Sequence, residues 1–215
     1  YGYYGKNDGG GGLFYLDELD VTSADNGGTI IVAVDGGRWK RSYQKGEVWV
    51  GWFGAVPKAG RDNRAAILAA HNFCATSNED RRLRFSAGKY EIHSTLTIRG
   101  LVHWQGSSDG GAGTIIEWMG QGSVAISCDA GDWIGNYQGT FESIGVYRGA
   151  TGSKAYAFDL IRCSEFLFDR VYANDMKSVD QSSALIDVNR QDNAEAFCCR
   201  QGKRANLIVA FDFGK

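Results

Sequence analysis

The sequence predicts an all-β fold of many short strands, arranged either as the stacked coils of a parallel β-helix or as a β-sandwich. Three observations predict it. The 215 residues include 30 glycines and a single proline, which is the punctuation of short strands joined by tight turns rather than of long helices. From residue 83 onward, short apolar runs follow one another at 83–85, 90–92, 96–98, 114–118, 124–128, 141–147, 155–161, 166–172, 184–188 and 207–211. Finally, Phe141-Glu142-Ser143-Ile144 returns as Phe168-Asp169-Arg170-Val171, and Phe158-Asp159-Leu160 returns as Ile186-Asp187-Val188. These offsets of 27 and 28 residues, with Arg162 returning as Arg190, suit one coil of a β-helix, whose strands stack about 4.8 Å apart.

Residues 1–50 read as a small β element ahead of the main fold. Leu13-Phe14-Tyr15 follows the run Gly9 to Gly12, and Asn26-Gly27 stands before the apolar stretch Thr29 to Val34. An Asn-Gly pair supplies the positive φ of a tight hairpin turn. Arg38-Trp39-Lys40-Arg41 falls on a further strand, and strands this short form no core by themselves.

Residues 51–100 hold the best helix candidate, Asp62 to Cys74. Asp62 suits an N-cap, and Ala66, Ile67, Ala70, Phe73 and Cys74 fall on one face. Residues 101–215 are expected to be coils. They finish on Leu207 to Phe211 without a second capping helix, so further coils or a partner chain are expected to follow. The chain also starts with Tyr rather than Met, the expectation being that an upstream part is missing.

The charge is balanced, with 23 Lys and Arg against 25 Asp and Glu, so no net field draws in nucleic acid or an anionic membrane. A soluble protein is expected, since no apolar run is long enough to span a bilayer. The five cysteines contain no C-x-x-C pair and read as buried thiols. His71, His93 and His103 lack metal-ligand spacing, so neither metal nor cofactor is expected. Gly106-Ser107-Ser108-Asp109-Gly110 fits a nucleophile-elbow pattern, but no helix pattern follows it, and it reads as a turn.

The ordered motifs of the first 100 residues carry a resemblance. Asp8-Gly9-Gly10-Gly11-Gly12-Leu13-Phe14-Tyr15, Asp25-Asn26-Gly27-Gly28-Thr29 and Gly37-Arg38-Trp39-Lys40-Arg41 are followed by three more. These are Trp52-Phe53-Gly54-Ala55, the Asp62-Asn63-x-Ala65-Ala66-Ile67 helix and Phe85-Ser86-Ala87-Gly88-Lys89-Tyr90-Glu91-Ile92. The series resembles the segment ahead of the β-helix in phage tailspikes and the opening of the pectate-lyase-like superfamily. Val56 to Arg61 replaces the Gly-Asp-Gly link of that family, and Ser86 stands where it prefers Pro.

The resemblance implies a right-handed parallel β-helix (solenoid) with a short capping helix. It also implies a homotrimeric, virion-located tailspike that meets other tail proteins, and that recognises and depolymerises bacterial surface polysaccharide, capsule or O-antigen. The alternatives are a non-catalytic glycan-binding or assembly segment and a secreted bacterial polysaccharide lyase.

Cleavage of a glycan needs paired acids, commonly two carboxylates. If Phe158 and Leu160 point inward, Asp159 points out, and the 28-residue offset stacks Asp187 on it with Glu165 nearby. Glu142 and Asp169 form a second stacked pair. Trp133, Tyr137 and Trp118 are the candidates for stacking on sugar rings, Trp133 and Tyr137 in a Gly- and Asn-containing loop where binding residues tend to sit. The bland readings are that the acids are solvated surface groups and that Trp118, ending an apolar strand, is core.

Overall fold

A computed structural model describes residues 2–107, 113–129, 139–161 and 166–176, together with the backbone of two further strands at 197–200 and 210–212. Strands β1 (Leu13–Asp17), β2 (Ile30–Val32) and β3 (Arg38–Ser42) make a three-stranded antiparallel sheet in the order β1-β3-β2. Its hairpin lies between β2 and β3 and turns at Asp35-Gly36, where Gly36 has φ +87°. Asn26-Gly27 is therefore not the hairpin turn expected from the sequence. The Asn26 carboxamide instead accepts the backbone N–H groups of Gly28, Thr29 and Ile30 (3.1, 2.8 and 3.0 Å) and so launches β2.

The next strand, β4 (Glu47–Trp49), already belongs to the parallel part of the molecule. A 3-10 turn over Val50–Phe53 leads to the one helix among the described residues, α1 (Arg64–Thr76). It starts one residue later than a cap at Asp62 implies. Asn63 rather than Asp62 holds the capping position, and its side chain is used elsewhere, accepting the Val56 N–H at 2.8 Å. Ile67, Ala70, His71 and Cys74 are its buried face. His71 belongs there because its ring is used at both ends, accepting the Trp104 indole N–H at 3.0 Å and lying 2.8 Å from the Arg99 carbonyl.

Three parallel sheets follow. One runs β4, β5 (Arg82–Arg84), β8 (His103–Gln105), β11 (Gly139–Glu142), β14 (Phe166–Asp169), β17 (Ala210–Asp212). The second runs β6 (Gly88–Ile92), β9 (Thr114–Trp118), β12 (Ile144–Arg148), β15 (Tyr172–Asn174). The third runs β7 (Leu96–Ile98), β10 (Val124–Asp129), β13 (Tyr156–Ile161), β16 (Phe197–Arg200). The chain visits the sheets in turn and then returns to the first, which makes it a parallel β-helix and excludes the antiparallel pairing of a sandwich.

The coils are in register but have no fixed period. Leu83, Trp104, Phe141, Phe168 and Phe211 stand side by side in the first sheet, although they are 21, 37, 27 and 43 residues apart. The expected 27-residue match of Phe141 with Phe168 holds. The 28-residue match of Phe158 with Ile186 does not, because Phe158 pairs with Phe197. Loops of different length between the strands absorb the difference.

The core runs between the three sheets. Period-2 alternation points Val48, Leu83, Trp104, Phe141 and Phe168 inward, all essentially inaccessible. Trp104, Phe141, Phe158 and Phe168 form one aromatic column, with ring centroids 4.8 to 5.5 Å apart along Trp104–Phe141, Phe141–Phe158, Phe158–Phe168 and Phe141–Phe168. Each such pair contributes about 0.5–1.5 kcal/mol beyond its buried area. The helix lays its apolar face on β4, β5 and β7, so Ile67, Ala70 and Cys74 close the end of this column, as a solenoid requires.

Candidate active site on the first parallel sheet

Residues flanking the inward column on the first sheet point outward and form two rows. Glu47, Arg82, His103 and Thr140 make one; Trp49, Arg84, Gln105, Glu142 and Asp169 make the other. Registered strands place each member about 4.8 Å from the next. The Arg-Leu-Arg and His-Trp-Gln triplets of β5 and β8 therefore present polar groups on both sides of one buried residue.

The second row borders a cavity of about 340 Å³. Glu142 and Asp169 are in register there, as the sequence repeat predicts. Arg170 Nη2 donates to Glu142 Oε1 at 2.8 Å and to Asp169 Oδ2 at 3.0 Å. The two carboxylate oxygens thus lie no more than about 5.8 Å apart, the length of the two bonds laid end to end. Gln105 Nε2 donates to Glu142 Oε2 at 2.9 Å. Arg84 donates to Glu47 and holds its guanidinium over the Trp49 ring, 5.8 Å from the centroid. The Arg84 Nε donor and the Gln105 Oε1 acceptor are both buried and make no hydrogen bond among the described residues.

Corner geometry sets this arrangement. Ser143 and Arg170 each turn the chain from the first sheet into the second with left-handed φ values of +54° and +50°. The Ser143 N–H donates to the Asp169 carbonyl at 2.9 Å, tying one corner to the next coil. Arg170 is therefore held beside the two acids by its own backbone.

The other expected site residues are distributed differently. Asp159 is only 5% exposed rather than a solvated outward acid, and its registered neighbours are Ser127 and Cys198, not Asp187. The β16 partner of Asp159 is Cys198, 39 residues further along the chain instead of 28. Trp118 is fully buried, with Gly120 against its indole and Gly152 against its carbonyl, where a side chain would collide; it fills the core and has no face for a sugar. Glu165, Asp187, Trp133 and Tyr137 lie outside the described residues.

Trp49, Arg84 and Gln105 were not singled out from the sequence. The signal that could have found them is polar-apolar-polar alternation around Val48, Leu83 and Trp104. Among the described residues no three His, Cys, Asp or Glu gather closely enough to hold a metal ion, and no helix is long and apolar enough to cross a membrane. Cys74 and Cys128 are buried, and burial, with the nearby Asp80 charge, pushes the Cys74 thiol up to about 12.

Arg41 is buried. Its guanidinium donates to the carbonyls of Gly28, Gly11 and Gly10 (2.9, 2.7 and 2.8 Å) and lies over the rings of Phe14 and Trp52. It joins the front sheet to the first coil and is not displayed to a nucleic acid.

Comparison with known proteins agrees with this architecture. Residues 1–44 match the phage tail protein small four-stranded β-sheet domain. A capsule K2-specific depolymerase of Klebsiella phage vB_KpnP_KpV74 is 32% identical over 101 residues, which is 45% of this chain and 17% of that protein. The chain thus spans about a sixth of the length of this relative. ORF18 of Geobacillus virus E2 shares the fold at a TM-score of 0.55 and 16% identity, over 69% of this chain and 32% of its own. Tailspike protein 3 of bacteriophage CBA120 does so at 0.50 and 16%, over 77% and 25%. The chain is thus similar to a phage-tail domain over its first 44 residues, to a phage depolymerase over 101 residues, and in fold to a phage tailspike.

Proposed function

We propose that this chain is the leading part of a receptor-binding tailspike that recognises bacterial surface polysaccharide, capsule or O-antigen, and cleaves it on the outward face of the first parallel sheet. The observation that carries the reading is the cavity beside Trp49, Arg84, Gln105, Glu142 and Arg170. Sugar hydroxyls both donate and accept hydrogen bonds, and the cavity is lined by side chains of both kinds, the guanidinium groups of Arg84 and Arg170, the Gln105 amide and the Glu142 carboxylate. The exposed part of the Trp49 ring would lie against a sugar's apolar face. The relative named for capsule depolymerisation supports the same substrate class.

In cleavage, Glu142 and Asp169 would be the acid pair. Carboxyl groups about 5–5.5 Å apart are the spacing for retention, with one acting as nucleophile and the other as acid and then base. Trp133, Tyr137 and Glu165 belong to the same proposal: Trp133 and Tyr137 come shortly before β11 in the sequence, and Glu165 immediately before β14. A homotrimer contacting other tail proteins fits the front sheet, whose Leu13, Leu19 and Val21 are 78, 94 and 70% exposed.

A second reading, glycan binding without cleavage in this chain, is favoured by Arg170. Its Nη2 engages both carboxylates, whereas a general acid must be aimed at the leaving oxygen.

The test is to incubate the folded protein with purified capsular and O-antigen polysaccharides and to follow chain length by size-exclusion chromatography. Shortening of one polymer, abolished by Glu142→Gln, supports cleavage at this face. Retention without shortening supports the binding reading, and neither effect with any polymer rejects the proposal.

A further inference from the structure

The two acids of the first sheet are held differently. Glu142 accepts at both of its oxygens, from Arg170 Nη2 at Oε1 and from Gln105 Nε2 at Oε2 (2.8 and 2.9 Å). A proton on either oxygen would compete with an N–H donor, so this arrangement suits the carboxylate and fixes its plane. Asp169 accepts the same Arg170 nitrogen at Oδ2, and its Oδ1 has no hydrogen-bond partner among the described residues. That oxygen is left to carry a proton.

Their positions differ as well. Glu142 lines the Trp49 cavity with Gln105 and Arg170, whereas Asp169 stands one strand further along the stack, outside that lining. A sugar seated in the cavity therefore meets Glu142, and the bond joining it to the next sugar falls between the two acids. The bonds from Arg170, laid end to end, put the two acceptor oxygens no more than about 5.8 Å apart. Inversion needs roughly 6.5–9.5 Å between the carboxyl groups to seat its water, so this spacing suits retention.

We propose that Glu142 is the nucleophile and Asp169 the general acid and base, and that the glycan crosses the strands with the attacked sugar in the Trp49 cavity and the leaving sugar over β14. The inference rests on the cleavage reading above and assigns the roles and the direction that it leaves open. A Glu142 oxygen bonds to the anomeric carbon as the glycosidic C–O bond breaks, and the leaving oxygen keeps that electron pair and takes the Asp169 proton. Water then gives a proton back to Asp169 while its oxygen displaces Glu142 from the anomeric carbon. Both acids are restored, and two displacements leave the anomeric configuration as it was. Arg170, bonded to both, stays beside the negative charge as it passes from Glu142 to Asp169 and back.

The experiment takes the polysaccharide that the whole chain shortens and compares Glu142→Ala and Asp169→Ala with and without sodium azide, reading the new chain ends by mass spectrometry and anomeric NMR. Thermal melts check that each variant is folded, and Glu142→Gln and Asp169→Asn replace any that is not. Each substitution is expected to slow cleavage about 100-fold or more. Azide should restore cleavage by the Asp169 variant, attacking the glycosyl-Glu142 ester and leaving a glycosyl azide of the configuration the parent's products have. In the Glu142 variant azide can act only in place of the nucleophile, so any azide product should have the opposite configuration. An inverted product from the parent, the reverse azide pattern, no azide rescue of the Asp169 variant, or a variant that cleaves like the parent overturns the assignment while cleavage stands. A folded parent that shortens no polymer overturns both.

Discussion

The front sheet and the coils reach stability by opposite routes. In the coils, strands are held by a buried core around an aromatic column, and every sheet contributes inward residues to that core. In the front sheet, β1 and β2 contain no buried residue, and the exposed large hydrophobics of the described residues all fall between Tyr3 and Trp39. Polar anchors do the holding instead: Asp8 accepts four backbone N–H groups, Lys40 pairs with Asp17 and Asp20, and Arg41 fastens the sheet to the first coil. The contrast teaches that one region is self-sufficient in apolar burial, while the other leaves apolar surface exposed.

The largest expected effect breaks the coil side of this contrast. Phe141→Ala removes a ring that touches Trp104, Phe158 and Phe168 and should cost about 3–5 kcal/mol. Thermal unfolding followed by circular dichroism should show the main transition lowered, with the front sheet's tyrosine signals unaltered at temperatures below it.

Acid separates the regions next. His71 is buried under the helix, and desolvation lowers its pKa from 6.5 to about 4, partly offset by the bond at Arg99. The unfolded chain therefore takes up this proton first. Stability from His71 is complete above pH 6.5, declines as pH falls towards 4, and levels off below that, a loss of up to about 3 kcal/mol. Asp8 behaves differently. Burial alone would raise its pKa, but four backbone donors bring it down to about 2 from 3.8, so its contribution survives to pH 3.8 and is lost only as pH falls through 2. Denaturant melts between pH 7 and 4 should show the cap and coils weakening while the Asp8 loop keeps its amide protection.

The smallest effect tests the joint between the two. Arg41→Met keeps the contact with Phe14 and Trp52 but strands the carbonyls of Gly10, Gly11 and Gly28, a cost of about 2 kcal/mol. Limited proteolysis should release a fragment of about 44 residues faster than in the parent, with the coil transition unmoved.

The regions also differ in how far they were legible. Apolar runs marked most strands of the coils because burial on the inner face leaves a direct trace in sequence. The β8 strand left none, since His103 and Gln105 flank a lone Trp104, and β11 and β12 read as one run because a single left-handed serine separates them. Register was legible only where a coil happened to be short: Glu142 over Asp169 followed from a 27-residue repeat, whereas Asp159 was assigned the wrong partner across a longer coil. In the front sheet, turn chemistry was visible but pairing was not. Asn26-Gly27 marks a turn whichever strands it separates, and the burial of Arg41 depends on three carbonyls contributed by distant glycines. Side chains at Gly12 and Gly28 would collide with Arg41 and Phe53 respectively, so those glycines record close approaches, which sequence alone does not distinguish from flexibility.

The unequal coils have an evolutionary consequence. Because registered strands hold the shaft while the connecting segments range from short corners to excursions of tens of residues, a segment can be lengthened, replaced or traded between relatives without shifting the rungs on either side.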